Sequence, residues 1–249
     1  MKKGSLVLLV RNDRSYLVEA GKGNLNLKEG NVDLKQLLKK KFGDEIKTHI
    51  GKRLSIVEPN LKDVLEKKVK RLPQIITPKD VALILAYTGI GQGDKVVDAG
   101  TGSGFLSIII ASYIKPGKVY TYEKNRQFYN LAKKNLKMAG VEKFVELKRA
   151  DATRGIKQRN VDLVTLDLKN PEKMIQHAYK SLKPGGWLVV YSPYVEQMSK
   201  VSKEIKKKNF SSIKIVENIV REWQVEEFTR PRTVGLMHTG FLTFARKMG

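Results

Sequence analysis

From about residue 77 onward, apolar runs of five or six residues alternate with longer stretches whose apolar positions recur every three or four residues. The first texture marks strands buried on both faces, and the second marks helices that cover them. The predicted strands are residues 95–99, 118–123, 144–148, 161–166 and 187–191. A helix is predicted from Thr77 as its N-cap, with Pro78 at the first position, Asp80 at the third and Gly89 closing it. A second begins near Ser103, and Gly104 is read as letting it pack against the preceding strand. A third carries Phe128, Leu131, Ala132, Asn135 and Leu136 on one face and stops at Gly140. A fourth starts at Asn170-Pro171 and ends before Pro184-Gly185-Gly186. Residues 213–220 and 239–245 are strand-like again, which predicts an antiparallel pair at the end of a mostly parallel sheet. The expected fold is α/β and Rossmann-like.

The first 55 or so residues have a different texture. Apolar stretches at 5–10 and 15–19 flank Arg11-Asn12-Asp13-Arg14 and predict a hairpin, with breaks at Gly21-Lys22-Gly23 and Glu29-Gly30-Asn31. Residues 60–71 read as a charged connector with helical character. A small β-rich N-terminal domain with its connector is therefore expected over residues 1–70, and the larger α/β domain over 71–249. The opening basic residues and short apolar stretch do not make a signal-peptide core. No apolar run approaches the roughly 20 residues of a membrane span, so no membrane partner is expected.

Composition changes this picture in two ways. The chain of 249 residues has 48 Lys plus Arg against 25 Asp plus Glu, a formal charge of +23 that favours a polyanionic partner such as nucleic acid. It has no cysteine and only three histidines, His49, His177 and His238, set far apart. Disulfides, cysteine–zinc sites and cysteine nucleophiles are excluded, no metal is expected, and a cytoplasmic location fits.

The chemistry concentrates at the ends of the predicted strands. Val96-Val97-Asp98-Ala99-Gly100-Thr101-Gly102-Ser103-Gly104 leads from a strand through a glycine-rich turn into a helix that begins with Phe105. The spacing is G-x-G-x-G rather than the dinucleotide G-x-G-x-x-G. Asp98 would repel a pyrophosphate and suits a ligand with a cationic amine, as S-adenosylmethionine has. Glu123, nineteen residues after Gly104, ends the second strand where a carboxylate accepts from ribose hydroxyls. Asp151 after the third strand can accept from an adenine amino group, and Asp167 ends the fourth. Each alone is ordinary as a turn or cap residue. Four in register lie along the edge where open α/β sheets bind ligands.

These motifs resemble those of the tRNA adenine-N1 methyltransferases that act on the T-loop, especially their archaeal members. The glycine segment is shared by many methyltransferases. More particular are Arg71-Leu72-Pro73-Gln74-Ile75-Ile76-Thr77-Pro78-Lys79-Asp80, Asp167-Leu168-Lys169-Asn170-Pro171-Glu172 and Tyr191-Ser192-Pro193-Tyr194-Val195-Glu196-Gln197, together with the closing segment from Arg230 to Arg246. The resemblance covers nearly the whole chain. It implies a class I methyltransferase sheet, S-adenosylmethionine as cofactor, tRNA as partner, methylation at N1 of adenosine 58 and in archaeal members also of 57, and a homotetramer. It implies that Gly100, Gly102, Ser103, Gly104, Phe105 and Ala152 border the cofactor with Asp98, Glu123 and Asp151. Asp167 would lie beside both the transferable methyl and the target base. Two positions depart from the family pattern: Lys169 replaces the first proline of D-L-P-x-P, and Thr77 stands where relatives often have Tyr or His.

Asp167 is the candidate catalytic residue, accepting from the adenine N6 amino group as charge develops; the bland alternative is that it binds cofactor or caps a helix. Thr77, Tyr191, Tyr194, Arg232 and His238 are candidate substrate contacts. Tyr191, Tyr194, Trp223 and Phe228 offer stacking faces for an extruded base, and Lys200–Lys208 offers phosphate contacts or a solvated helix face. The rival readings are a methyltransferase for another RNA, a protein or a small molecule, a non-catalytic RNA-binding subunit, and an NAD-dependent dehydrogenase.

Overall fold

The computed structural model describes residues 1–71, 75–235 and 237–249. Leu72, Pro73, Gln74 and Leu236, which belong to the family-like motifs, lie outside the described residues. The chain forms two compact units, Met1–Val69 and Lys70–Gly249.

The first unit is antiparallel. Strands β1 (Leu6–Arg11) and β2 (Arg14–Glu19) make the expected hairpin, paired from Leu6↔Glu19 to Arg11↔Arg14. Asn12 takes a positive φ of 49° at the two-residue turn, where a short polar side chain tolerates the left-handed region. Strands β3 (Asn24–Leu27) and β4 (Gly30–Asp33) form a separate pair, and β5 (Glu45–Lys47) and β6 (Arg53–Val57) complete a four-stranded sheet in the order β2-β1-β6-β5. Val7, Leu9, Leu37, Ile46, Leu54 and Ile56 are buried between these elements. The expected connector contains the short helix α1 (Leu61–Lys67), started by a capping box in which Asn60 and Asp63 satisfy each other's backbone N–H.

The second unit is a seven-stranded sheet covered by helices. Its strands are β7 (Lys95–Ala99), β8 (Lys118–Tyr122), β9 (Val145–Lys148), β10 (Val161–Leu166), β11 (Leu182–Ser192), β12 (Phe210–Glu217) and the final strand β15 (Phe241–Lys247). The two-residue strands β13 (Trp223–Gln224) and β14 (Arg230–Pro231) pair with each other outside the sheet. The order is β12-β15-β11-β10-β7-β8-β9, parallel except where β15 runs antiparallel to both neighbours. The direction of winding reverses between β7 and β10, the switch point where such sheets open a crevice. The connecting helices are α2 (Pro78–Thr88), α3 (Phe105–Ile114), α4 (Arg126–Met138), α5 (Ile175–Ser181) and α6 (Val195–Lys206).

Three local expectations change. Thr77 takes the N-cap position of α2, but its hydroxyl bonds the Asp80 carboxylate instead of a backbone N–H. The helix expected at Asn170-Pro171 begins as a 3-10 turn, Pro171–Met174, before α5. Strand β11 starts at Leu182, five residues earlier than expected. Val161 pairs with Leu182 and Leu163 already with Trp187, so Pro184-Gly185-Gly186 bulges out within the strand instead of ending it. On the other side of the sheet Phe244 is 1% exposed and tilts against the ring of Tyr87 at 5.3 Å. Phe244→Ala should cost about 3–5 kcal/mol in chemical denaturation; a loss below about 1 kcal/mol would show that the β15 layer is not part of the cooperative core.

Candidate active site

Register decides where the acidic residues point. Asp98 lies directly between Thr121 on β8 and Thr165 on β10. Its Oδ2 accepts from Thr121 Oγ1 at 2.9 Å and from Ser107 Oγ of α3 at 2.6 Å, and its Oδ1 accepts from Thr165 Oγ1 at 2.8 Å. Burial raises the Asp98 pKa and the three hydroxyls pull it back. Three of the four acceptor sites of this carboxylate are thus taken by the protein's own hydroxyls. Asp98, expected to meet a cationic amine, is 1% exposed beneath the glycine turn and does not line the cavity.

Above it the turn is folded tightly against β8 and β10. The amides of Gly100 and Thr101 both donate to the Tyr122 carbonyl, and the Asp167 amide donates to Ala99 O at 2.9 Å. Gly100 has φ 103°, and a Cβ there would come 1.8 Å from the Asp167 carbonyl oxygen, so only glycine fits. The Gly102 amide donates to Glu123 Oε2 at 2.9 Å, while Glu123 Oε1 accepts from the Asn125 amide at 2.8 Å. Gly104 packs on Ala132 of α4, not on the strand.

The turn forms one wall of a cavity of about 500 Å³ at the carboxyl edge of the sheet. Gly100, Gly102, Ser103, Phe105, Glu123, Asp151, Ala152 and Asp167 line it, whereas Asp98 and Gly104 do not. The lining also includes Thr101, Ile76, Phe128, Leu168, Lys124 and Lys169, none of which was expected from sequence as a site residue. Phe128 looked like a core position on α4, but it sits in the first turn of that helix and is only partly buried. Its place five residues after the acidic strand end at Glu123, in the first turn of the next helix, was the available signal.

The carboxyls in the cavity differ in character. Asp151 caps the short 3-10 turn Ala152–Arg154, and the hydroxyl and amide of Thr153 hold its pKa below the ordinary value. Asp167 is pushed up to about 7, first by loss of water and then by the charge of Asp98. Such a group is poised to exchange a proton at neutral pH. Ser103 Oγ is buried with no partner in the protein, which leaves a donor for a ligand in the cavity.

None of the five expected substrate contacts lines the cavity. Thr77 follows Ile76, which does. Tyr191 is 6% exposed, donates from its hydroxyl to the Thr239 carbonyl, and has its pKa pushed up to about 12 by burial and then by the charges of Asp167 and Asp80. Tyr194 is 68% exposed. Arg232 is exposed and pairs with Glu222, Nε to Oε2 at 3.4 Å. His238 bridges Glu217 Oε1 at 2.5 Å and the Pro193 carbonyl at 3.0 Å, and both partners raise its pKa. Trp223 and Phe228 are exposed. Among the described residues no cluster of three or more His, Cys, Asp or Glu is placed to hold a metal, and no helix is long and apolar enough to cross a membrane.

A profile of the family described as the tRNA methyltransferase complex GCD14 subunit matches residues 64–234. The chain belongs to this family. It is 33% identical, over 96% of its length and 94% of the relative's, to the tRNA (adenine(57)-N(1)/adenine(58)-N(1))-methyltransferase TrmI of Methanocaldococcus jannaschii. Among solved structures it resembles a SAM-dependent O-methyltransferase of Thermotoga maritima, with a TM-score of 0.90 and 30% identity over all of this chain and 95% of that one. It also resembles the tRNA (m1A58) methyltransferase TrmI of Aquifex aeolicus, with a TM-score of 0.83 and 26% identity over 100% and 99% of the two chains. In this GCD14-family chain the expected class I methyltransferase sheet and β-rich N-terminal region are both present.

The sign of the Asp167 shift makes it testable. Its folded pKa of about 7 lies above the ordinary 3.8, so its contribution to stability is complete below about pH 4 and is lost as pH rises to about 7. Asp167→Asn removes the cost of the buried charge. The variant should melt about 10 °C above the parent at pH 8 and with the parent at pH 4. An equal shift at both pH values would mean that Asp167 is not titrating in this range.

Proposed function

We propose that this chain transfers a methyl group from S-adenosylmethionine to N1 of adenosine 58 in the T-loop of tRNA, with the neighbouring position 57 as a candidate second acceptor. The observation that carries the reading is a carboxyl poised near pH 7, Asp167, facing a cavity built on the glycine turn of a GCD14-family chain. The named activities of the Methanocaldococcus and Aquifex relatives support the same substrate.

The residues of the cavity suit the cofactor. Glu123 and Asp151 offer carboxylate acceptors for ribose hydroxyls and an adenine amine, Ile76, Phe128 and Leu168 offer apolar walls for a purine, and Ser103 Oγ offers an unspent donor. The bound cofactor supplies a methyl already activated on a sulfonium. The protein's task is therefore alignment and charge management. Asp167 in its ionised form accepts a hydrogen bond from the adenine N6 amine. When N1 gains its substituent and the ring becomes cationic, the carboxylate takes the amine's proton. Extruding the base from the folded T-loop costs on the order of a few kcal/mol, which contacts between tRNA phosphates and the surface of this chain of charge +23 must offset.

The second unit is the catalytic domain in this reading, and the first adds basic surface. A homotetramer is consistent with the exposed apolar residues Val225, Phe228, Val234 and Met237 between β12 and β15. A cytoplasmic location is consistent with a tRNA substrate. The Thermotoga neighbour's name motivates a second reading, transfer to an oxygen.

Nucleoside mass spectrometry of an unmodified tRNA transcript, incubated with S-adenosylmethionine and the protein, separates the two readings. N1-methyladenosine is expected, and Asp167→Ala should lower its rate of formation about 1000-fold. Ribose O-methylation, no methylated nucleoside, or full activity of the variant would overturn the proposal.

A further inference from the structure

Outside the cavity lining lies a buried ionic network. Asp80, in the first turn of α2, is fully buried, and Lys79 beside it is 16% exposed. Lys79 Nζ donates to Asp80 Oδ1 at 2.9 Å, to Thr239 Oγ1 at 2.8 Å and to the Asn218 carbonyl, which uses all three of its hydrogens. Asp80 Oδ2 accepts from Thr77 Oγ1 at 2.8 Å and from Thr239 Oγ1 at 2.9 Å. Asn218 Nδ2 returns a bond to the Lys79 carbonyl at 2.8 Å. The start of α2 is thus tied to the segment after β12 and to the segment before β15, chain positions up to 160 residues apart.

Stability alone is a poor reason for such a pair. Desolvating two charges costs several kcal/mol per ion, and well-packed apolar residues of similar volume often hold a core equally well or better. What an ion pair with fixed donors adds is position. Thr239, held by both charges, accepts the Tyr191 hydroxyl on its carbonyl, and the next residue, Gly240, lies flat on the Tyr191 ring, where a Cβ would come within 2.6 Å. Tyr191 also follows Val190, which pairs with Leu166 just before Asp167, so Tyr191 and the poised carboxyl sit at neighbouring positions on adjacent parallel strands. Thr77, on the other arm, directly follows Ile76 of the cavity wall.

We propose that the Lys79–Asp80 pair is a positioning element that fixes Tyr191, on the strand beside Asp167, and Thr77, next to Ile76 of the cavity wall, and so orders the acceptor-adenine end of the site. This rests on the adenine-N1 reading above. Neither Lys79, Asp80, Thr239 nor Asn218 lines the cavity, so the pair acts through its neighbours and not by contact with a ligand.

The test compares the parent protein with Asp80→Asn and with the double variant Lys79→Met/Asp80→Leu, which removes both charges together and spares the fold an unpaired ion. Melting temperature, S-adenosylmethionine affinity by calorimetry, and kcat and KM on tRNA are measured for each. The double variant should melt within a few degrees of the parent and bind cofactor within about 2-fold of it, while kcat falls about 100-fold, the scale of a reacting group displaced by an ångström. Parental kcat in the double variant overturns the inference. So does a fall in cofactor affinity and melting temperature that parallels the fall in kcat, because that is the signature of a merely structural pair. Inactivity of the parent on tRNA would instead overturn the substrate reading on which the inference stands.

Discussion

The site depends on one buried carboxylate and the three hydroxyls that hold it. Asp98 joins β7 to β8 through Thr121, to β10 through Thr165 and to α3 through Ser107. Thr101 Oγ1 in the glycine turn lies 2.6 Å from Thr121 Oγ1, which extends the chain of hydroxyls into the cavity wall. This clamp sits at the switch point of the sheet and fixes the turn against the end of β10. The near-contact of Gly100 with the Asp167 backbone follows from it. So does the charge that helps lift the Asp167 carboxyl. One buried interaction therefore shapes the cofactor wall and tunes the reacting group.

The division of labour among the four acidic strand ends comes from how each oxygen is used. Asp98 is consumed by hydroxyls. Glu123 spends one lone pair of each oxygen on backbone amides and turns the rest to the cavity. Asp151 is held ionised by Thr153. Asp167 has water taken away and no hydroxyl in return, so it is moved into the neutral range. Four residues of one chemical type along one sheet edge carry out structural, binding and proton-handling work because their surroundings differ.

Much of this was legible in the sequence. The strand–helix alternation fixed α/β architecture because strands buried on both faces must read as apolar runs, and β7 and β10 fall on their expected residues. The glycine turn and the carboxylates of Glu123, Asp151 and Asp167 were readable because their places at strand ends are local properties. The direction of Asp98 was not, because it depends on which side chains the neighbouring strands bring into register. The Lys79–Asp80 network was invisible for the same reason: its partners Asn218 and Thr239 are remote in the chain. The bulge in β11 escaped because Pro184-Gly185-Gly186 carries every local signal of a strand break, and only pairing with β10 on both sides of it keeps the strand whole.

The central claim is that the fold delivers to the cavity a carboxyl that is half-protonated near neutrality. Carbon-13 NMR titration of the aspartate carboxyls in the cofactor-free protein measures this directly, with the Asp167 signal assigned by its loss in Asp167→Asn. The account predicts a midpoint of about 7 for that signal. A midpoint near the ordinary 3.8 would contradict it, since an ordinary carboxylate is too weak a base to relieve a methylated adenine of its proton.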